Sequence, residues 1–266
     1  MRLIARRGVL AGGLACIAAR AHAQTAPAAA LVLHGKQGTP NFPPLRAVAN
    51  ALEQAGLRVA VPEMPWSRSR YLDGPPDKAF GEIADLIAGF KREGAAKIFL
   101  AGHSIGATAA LGYATSRGGI DGLALLATGH VPTFYALGLG PINATVRDAI
   151  LRARSLVATG KGETVEEFAD NNQGEALRVR MRAADYLGYF DPGGAMDPQA
   201  QIARAPCAVL WAIGTRDVLY SSSRSLYFDR LPRDPRHAFF EADADHRGLP
   251  QVAAPATAAF FRSLSA

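Results

Sequence analysis

Short apolar runs separated by segments of helical periodicity fill this sequence, and that alternation constrains its fold more than any other feature. Residues 31–33, 58–61, 97–101, 123–126, 208–213 and 237–240 read as six short strands. Leu45, Val48, Ala49 and Leu52 recur at helical spacing, as do Phe80, Ile83, Ile87 and Phe90. Residues 107–114, 222–231 and 252–264 read as further helices, and Gly56, Pro62, Gly94 and Gly214 supply stops. Strands that alternate with helices build a parallel sheet with right-handed crossovers. The expected fold is α/β, with a mostly parallel sheet of about six strands. The rhythm breaks between about 129 and 205, where residues 144–157 and 164–187 read as helices. This stretch is expected to be a helical cap insert over the C-terminal ends of the strands, the edge where open α/β sheets bind ligands.

The N-terminus reads as an address. Residues 1–7 are basic, 8–19 are apolar and small, and Ala21-His22-Ala23 fits the small-x-small pattern of a signal-peptide cleavage site. Arg6-Arg7 followed by Gly-Val-Leu resembles a twin-arginine export signal. The apolar stretch falls short of the roughly 20 residues that span a bilayer. Cys16 lacks the bulky apolar residue that a lipid-attachment site needs three positions earlier, since Gly13 stands there. The expectation is a signal peptide over 1–23 and one mature domain over 24–266, periplasmic or secreted, with residues 24–30 as a Pro/Ala linker.

Charge supports that division. The formal net charge is +6, from 29 basic and 23 acidic residues. Arg2, Arg6, Arg7 and Arg20 lie in the first 23 residues, which hold no acid. Without them 25 basic residues face 23 acidic ones, a net of +2. Arg178, Arg180 and Arg182 alternate with apolar residues and read as a solvated helix face. No nucleic-acid partner is expected, and no stable membrane insertion. Only Cys207 remains after residue 23, at the start of an apolar run, where packing explains it. No metal-ligand spacing occurs among the six scattered histidines.

The chemistry concentrates at Gly102-His103-Ser104-Ile105-Gly106, a G-x-S-x-G pentapeptide between a strand and a small-residue helix. A serine on so sharp a turn needs strained backbone angles, and the flanking glycines let the turn close. Asp217 follows the strand that ends at Gly214, and His246 follows the last strand. His34-Gly35-Lys36-Gln37-Gly38 follows the first strand. Each residue has a plainer reading. Ser104 would serve as a small residue in a tight turn, and His246 as a surface-loop histidine. Asp217 competes with Asp191, Asp197, Asp243 and Asp245. His103 and His130 are poorer bases by position, one inside the turn and the other ahead of the acid.

Over nearly its whole mature length the chain resembles the α/β-hydrolase superfamily, specifically its esterase- and lipase-like serine hydrolases. The order Ser, Asp, His is that superfamily's order. The resemblance implies Ser104 as nucleophile, His246 as base, Asp217 as its orienter, and the backbone N–H groups of Lys36 and Ile105 as an oxyanion hole. It implies cleavage of a carboxylic ester or related acyl bond of a small-molecule substrate through an acyl-enzyme, with no cofactor. The Lys36 ammonium is expected to point to water. The chain departs from the full eight-stranded sheet, because nothing before Leu31 accommodates the first two strands. A thioesterase or peptidase would use the same triad, and a non-catalytic binding protein would use the same fold. Trp66, Arg68, Arg70 and Tyr71, with Tyr186, Tyr189 and Phe190, are candidates for lining a substrate pocket or for packing against the core.

Overall fold

A computed structural model describes residues 27–265 of the chain. Residues 1–26 lie outside the description, and the expected signal peptide over 1–23 with them. The alternation of strand and helix appears as read. The first half runs β1 (Ala28–Leu33), α1 (Pro43–Gln54), β2 (Arg58–Ala60), α2 (Pro76–Arg92), β3 (Lys97–His103), α3 (Ile105–Arg117) and β4 (Gly122–Leu126). An insertion follows, with α4 (Pro132–Leu137), α5 (Pro141–Ala158), β5 (Val165–Asn172), β6 (Glu175–Arg182), α6 (Ala183–Phe190) and α7 (Pro198–Gln201). The sheet resumes at β7 (Ala208–Gly214), followed by α8 (Tyr220–Leu226), β8 (Ala238–Ala242) and α9 (Leu249–Ser265). The first strand starts at Ala28, inside the stretch read as linker. Its alanines have too little apolar bulk to signal a strand, and pairing with β2 and β3 makes them one.

Six strands form one sheet in the order β2-β1-β3-β4-β7-β8, every pair parallel. Side chains alternate between its faces with the strand period of two. On β1, Ala29, Leu31 and Leu33 face one core, and Ala28, Ala30 and Val32 face the other. The first core takes Phe80, Ile83 and Ile87 of α2 and Leu111 of α3. The second takes Leu45, Val48 and Leu52 of α1 and Phe260 and Phe261 of α9, with Phe261 stacked on Phe99 at 4.6 Å. Burying each large side chain contributes about 1.5–3 kcal/mol. The small residues of α3 follow from crowding. A Cβ at Gly112 would overlap the Ala195 carbonyl oxygen of the insert.

The insert corrects one expectation. Residues 164–187 are not a continuous helix: β5 and β6 form an antiparallel hairpin, followed by the short α6. Phe168, Val179 and Met181 point inward, while Arg178 and Arg180 are exposed. The alternating arginines therefore mark a solvated strand face rather than a helix face. An alternation of two over so few residues is a strand signal, and Asn172-Gln173-Gly174-Glu175 supplies its turn, with Gln173 and Gly174 both at positive φ.

Candidate active site

Ser104 sits between β3 and α3 with φ +56° and ψ −124°. A non-glycine residue held there carries roughly 1–3 kcal/mol of strain, which the surroundings must impose. They do so by close packing. A Cβ at Gly102 would overlap the Gly106 carbonyl, and one at Gly106 would overlap the carbonyls of Leu33 and His34. The Ser104 N–H donates to the Leu126 carbonyl at 3.1 Å, tying the turn to the end of β4. The residue is 6% exposed.

Asp217 and His246 arrive from the loops after β7 and β8. His246 Nδ1–H donates to Asp217 Oδ2 at 2.7 Å, with the carboxylate side chain fully buried. Asp217 Oδ1 accepts the Leu219 N–H at 2.9 Å. Burial pushes the Asp217 carboxyl up, but the His246 hydrogen bond and charge and the Leu219 N–H outweigh it and hold the carboxyl below its ordinary value. With Nδ1 donating, His246 Nε2 is the acceptor, and it is buried without a protein partner among the described residues. Ser104 and His246 flank one point. A Cβ on Gly129 would lie 2.8 Å from Ser104 Oγ and 3.3 Å from His246 Cε1. The competing acids are engaged elsewhere. Asp243 pairs with Arg216, Asp245 caps the Gly248 N–H, Asp191 pairs with Arg154, and Asp197 caps α7.

The loop after β1 lies beside the turn. Neither the Lys36 nor the Ile105 backbone N–H donates to a protein acceptor among the described residues. The loop is fixed by Gln37 N–H to the Trp66 carbonyl at 2.8 Å and by Trp66 Nε1–H to the His34 carbonyl at 2.7 Å. The Lys36 ammonium does not reach water as expected. It is buried against Asp170 at 2.5 Å, and burial lowers its pKa while Asp170 partly offsets that. Its partner lies 134 residues away on the hairpin, so no local pattern announces it.

Two clefts meet at Ser104. A cavity of about 470 Å³ is lined by Val131, Phe134, Tyr135, Val218 and Leu219 together with His246. A more polar cleft of about 350 Å³ opens on the other side, past Gln37, Phe42, Arg68 and Arg247. The hairpin turn at Asn172 and Gln173 borders both. Of the other pocket candidates, Trp66 braces the loop after β1 and Arg70 is bound to Asp73 and Glu82. Tyr186, Tyr189 and Phe190 are fully buried, and Tyr186 stacks between Phe168 and Phe190 at 4.5 and 4.2 Å. They form the core of the insert instead of the cavity wall. Sequence reasoning missed Gly129, which makes room beside Ser104, and a structural part for His103. Burial drives the His103 pKa down to about 3, and its neutral ring donates through Nε2 to the His246 carbonyl at 2.9 Å.

Among the described residues no helix is long and apolar enough to cross a membrane, and no group of three or more His, Cys, Asp or Glu side chains is arranged to hold a metal ion. Cys207 is buried, which pushes its thiol up to about 12.

No curated protein sequence matches this chain. Solved structures do. Est1E from Butyrivibrio proteoclasticus, solved with ferulic acid bound, superimposes with a TM-score of 0.63 at 16% identity, over 89% of this chain and 88% of that one. The esterase domain of a Rhodothermus marinus protein gives 0.59 at 17% identity, over 91% and 89%. A monoacylglycerol lipase from Paleococcus ferrophilus gives 0.57 at 18%, over 88% and 96%. At such identities the likeness is one of fold. The family model described as "Alpha/beta hydrolase family" matches residues 30–260. With that match over most of its length, the chain belongs to the alpha/beta hydrolase family.

Proposed function

We propose that this chain is an exported serine hydrolase that cleaves a carboxylic ester of a small-molecule substrate through an acyl-enzyme. The observation that carries the reading is the His246–Asp217 hydrogen bond at 2.7 Å beside a strained Ser104 at the meeting point of two clefts. With Nδ1–H committed to Asp217, Nε2 is free to take the Ser104 proton as the hydroxyl attacks the substrate carbonyl. In unliganded sites this second hydrogen bond is often long and tightens only with substrate bound. The Lys36 and Ile105 N–H groups receive the oxyanion, each contributing about 3 kcal/mol in comparable sites. His246 then protonates the leaving alcohol, and water cleaves the acyl-enzyme. The less polar cavity suits the acyl group, and the polar cleft suits the alcohol. The names of the esterase and lipase neighbours agree with this choice of bond. Export, by the twin-arginine route, rests on Arg6-Arg7 and Ala21-His22-Ala23.

The test is Ser104→Ala in the purified protein. Fluorophosphonate labelling and hydrolysis of p-nitrophenyl esters should both vanish while the circular dichroism spectrum stays unchanged. Persistent labelling moves the nucleophile elsewhere. A matched panel of esters, thioesters and anilides fixes the bond, and failure to turn over any of them favours a binding protein on this fold.

A further inference from the structure

Lys36 belongs to the loop after β1 and Asp170 to β5 of the hairpin, yet their charged groups lie 2.5 Å apart with the two side chains 2% and 0% exposed. The same ammonium donates to the Asn171 carbonyl at 3.1 Å and stands 5.4 Å from the centroid of the Phe190 ring and 5.9 Å from that of Tyr135. Asp170 is held from three sides. Its Oδ1 accepts from Lys36 and from the Asn171 N–H at 2.6 Å, and its Oδ2 accepts from the Tyr71 hydroxyl. Tyr71 comes from the segment between β2 and α2. Two stretches of chain remote in sequence thus converge on one carboxylate of the hairpin whose turn borders both clefts.

Stability alone does not account for this pair. Taking two charges out of water costs about as much as their mutual attraction returns, so an apolar pair of the same volume would hold the hairpin down as well. What the ion pair adds is direction, because three donors fix where the Asp170 oxygens stand, and those oxygens fix where Lys36 stands. Just past Lys36 the loop is already pinned by Gln37 N–H to the Trp66 carbonyl and by Gly38 N–H to the Gly35 carbonyl at 2.9 Å. With its side chain tethered as well, the Lys36 peptide has little freedom to rotate.

We propose that Asp170 is a positioning residue for the reaction: through Lys36, the cap hairpin holds the Lys36 peptide N–H toward the developing oxyanion. The inference rests on the oxyanion role given to Lys36 above. Asp170 touches no substrate in this scheme and acts only through Lys36. The hairpin then has two coupled tasks, to enclose the substrate with its turn and to align the oxyanion hole with its root. Oxyanion stabilisation acts only in the transition state, so the loss should fall on kcat and spare KM.

The full-length mature protein is compared as wild type, Asp170→Asn, Lys36→Met, Lys36→Arg and Tyr71→Phe. The measurements are kcat and KM on an activated ester, and affinity for an aryl trifluoromethyl ketone, whose adduct with Ser104 carries an oxyanion in the same place. Asp170→Asn and Lys36→Met should lower kcat about 100-fold, the size expected when one oxyanion donor is lost, with KM within about threefold. Ketone affinity should fall in parallel. Lys36→Arg, which keeps the charge, should recover part of both. A merely structural pair would lower the melting temperature and leave the kcat of the folded fraction and its ketone affinity in place. That result overturns the proposal, as does a fall in kcat without a fall in ketone affinity. If Asp170→Asn does not fold, Tyr71→Phe carries the same comparison, since it removes one of the three donors and leaves the pair. It should lower both readouts several-fold, and no change in either overturns the proposal. Failure confined to these variants leaves the reaction standing, whereas full activity in Ser104→Ala removes the reaction and this inference together.

Discussion

Asp217 Oδ2 accepts a hydrogen bond from His246 Nδ1 at 2.7 Å across 29 residues of sequence. The carboxylate is fully buried, and its other oxygen is occupied by the Leu219 N–H. That second bond leaves the carboxylate little freedom to turn away, so the imidazole is held in a single tautomer with Nε2 open.

Substitution of Asp217 by Asn should keep the volume but reverse the hydrogen bond and stabilise the wrong tautomer. Turnover should fall on the order of 10⁴-fold, as in analogous triads. Asp243→Asn and Asp245→Asn should retain most activity, because Asp243 pairs with Arg216 at the surface and Asp245 caps a turn. Steady-state rates of the three variants on one activated ester decide the assignment. If Asp217→Asn stays near full rate while one of the others collapses, the acid is misassigned.

Gly129 should tolerate no side chain. A methyl group there would sit 2.8 Å from Ser104 Oγ and 3.3 Å from His246 Cε1, within van der Waals overlap of both reacting groups. Gly129→Ala should fold, since the space it fills is cavity, and should lose most fluorophosphonate reactivity. Gly106→Ala should act differently. Its Cβ would collide with the backbone carbonyls of Leu33 and His34, which cannot swing aside, so the loss should appear in stability by a few kcal/mol. Thermal melts beside labelling rates separate the two effects. Equal melting temperatures for Gly106→Ala and wild type would contradict the packing argument.

Acid should destabilise the fold well above the range of its carboxylates. Burial lowers the pKa of His103 from 6.5 to about 3 and lowers those of His34 and His130 as well. Each therefore binds its proton more readily in the unfolded chain. Their contribution is complete above about pH 6.5 and is lost as pH falls below it; for His103 the loss continues down to about pH 3, at up to about 1.4 kcal/mol per pH unit. His103→Gln keeps a donor for the His246 carbonyl but cannot titrate, so its stability should decline less steeply between pH 6.5 and 4. Urea midpoints across that range measure the slopes, and parallel slopes would rule out His103 as a contributor.

Export makes its own prediction. Mass spectrometry of the protein recovered from its native host should find an N-terminus at or near Gln24, outside the cytoplasm. Replacing Arg6 and Arg7 by Lys should block export if the route is the twin-arginine one. An intact Met1 in the native protein counts against cleavage.

Much of this protein is determined locally. The six sheet strands, their helices and the sharp turn at Ser104 follow from periods of two and 3.6 and from glycines that only a tight turn requires, all of which a short window of sequence contains. The order Ser104, Asp217, His246 was legible because each lies just past the end of a predicted strand, and a parallel sheet brings such ends to one edge. The tertiary structure decided the rest. Asp217 is one of five candidate carboxylates in the sequence; packing sets it against His246 and gives the other four different partners. Residues 164–187 carry apolar residues compatible with a helix, and pairing between β5 and β6 made most of them a hairpin. The Lys36–Asp170 contact has no sequence signal at all, because a charge reads as solvated unless its partner is known. That partner becomes a neighbour only when the insert folds back over the sheet.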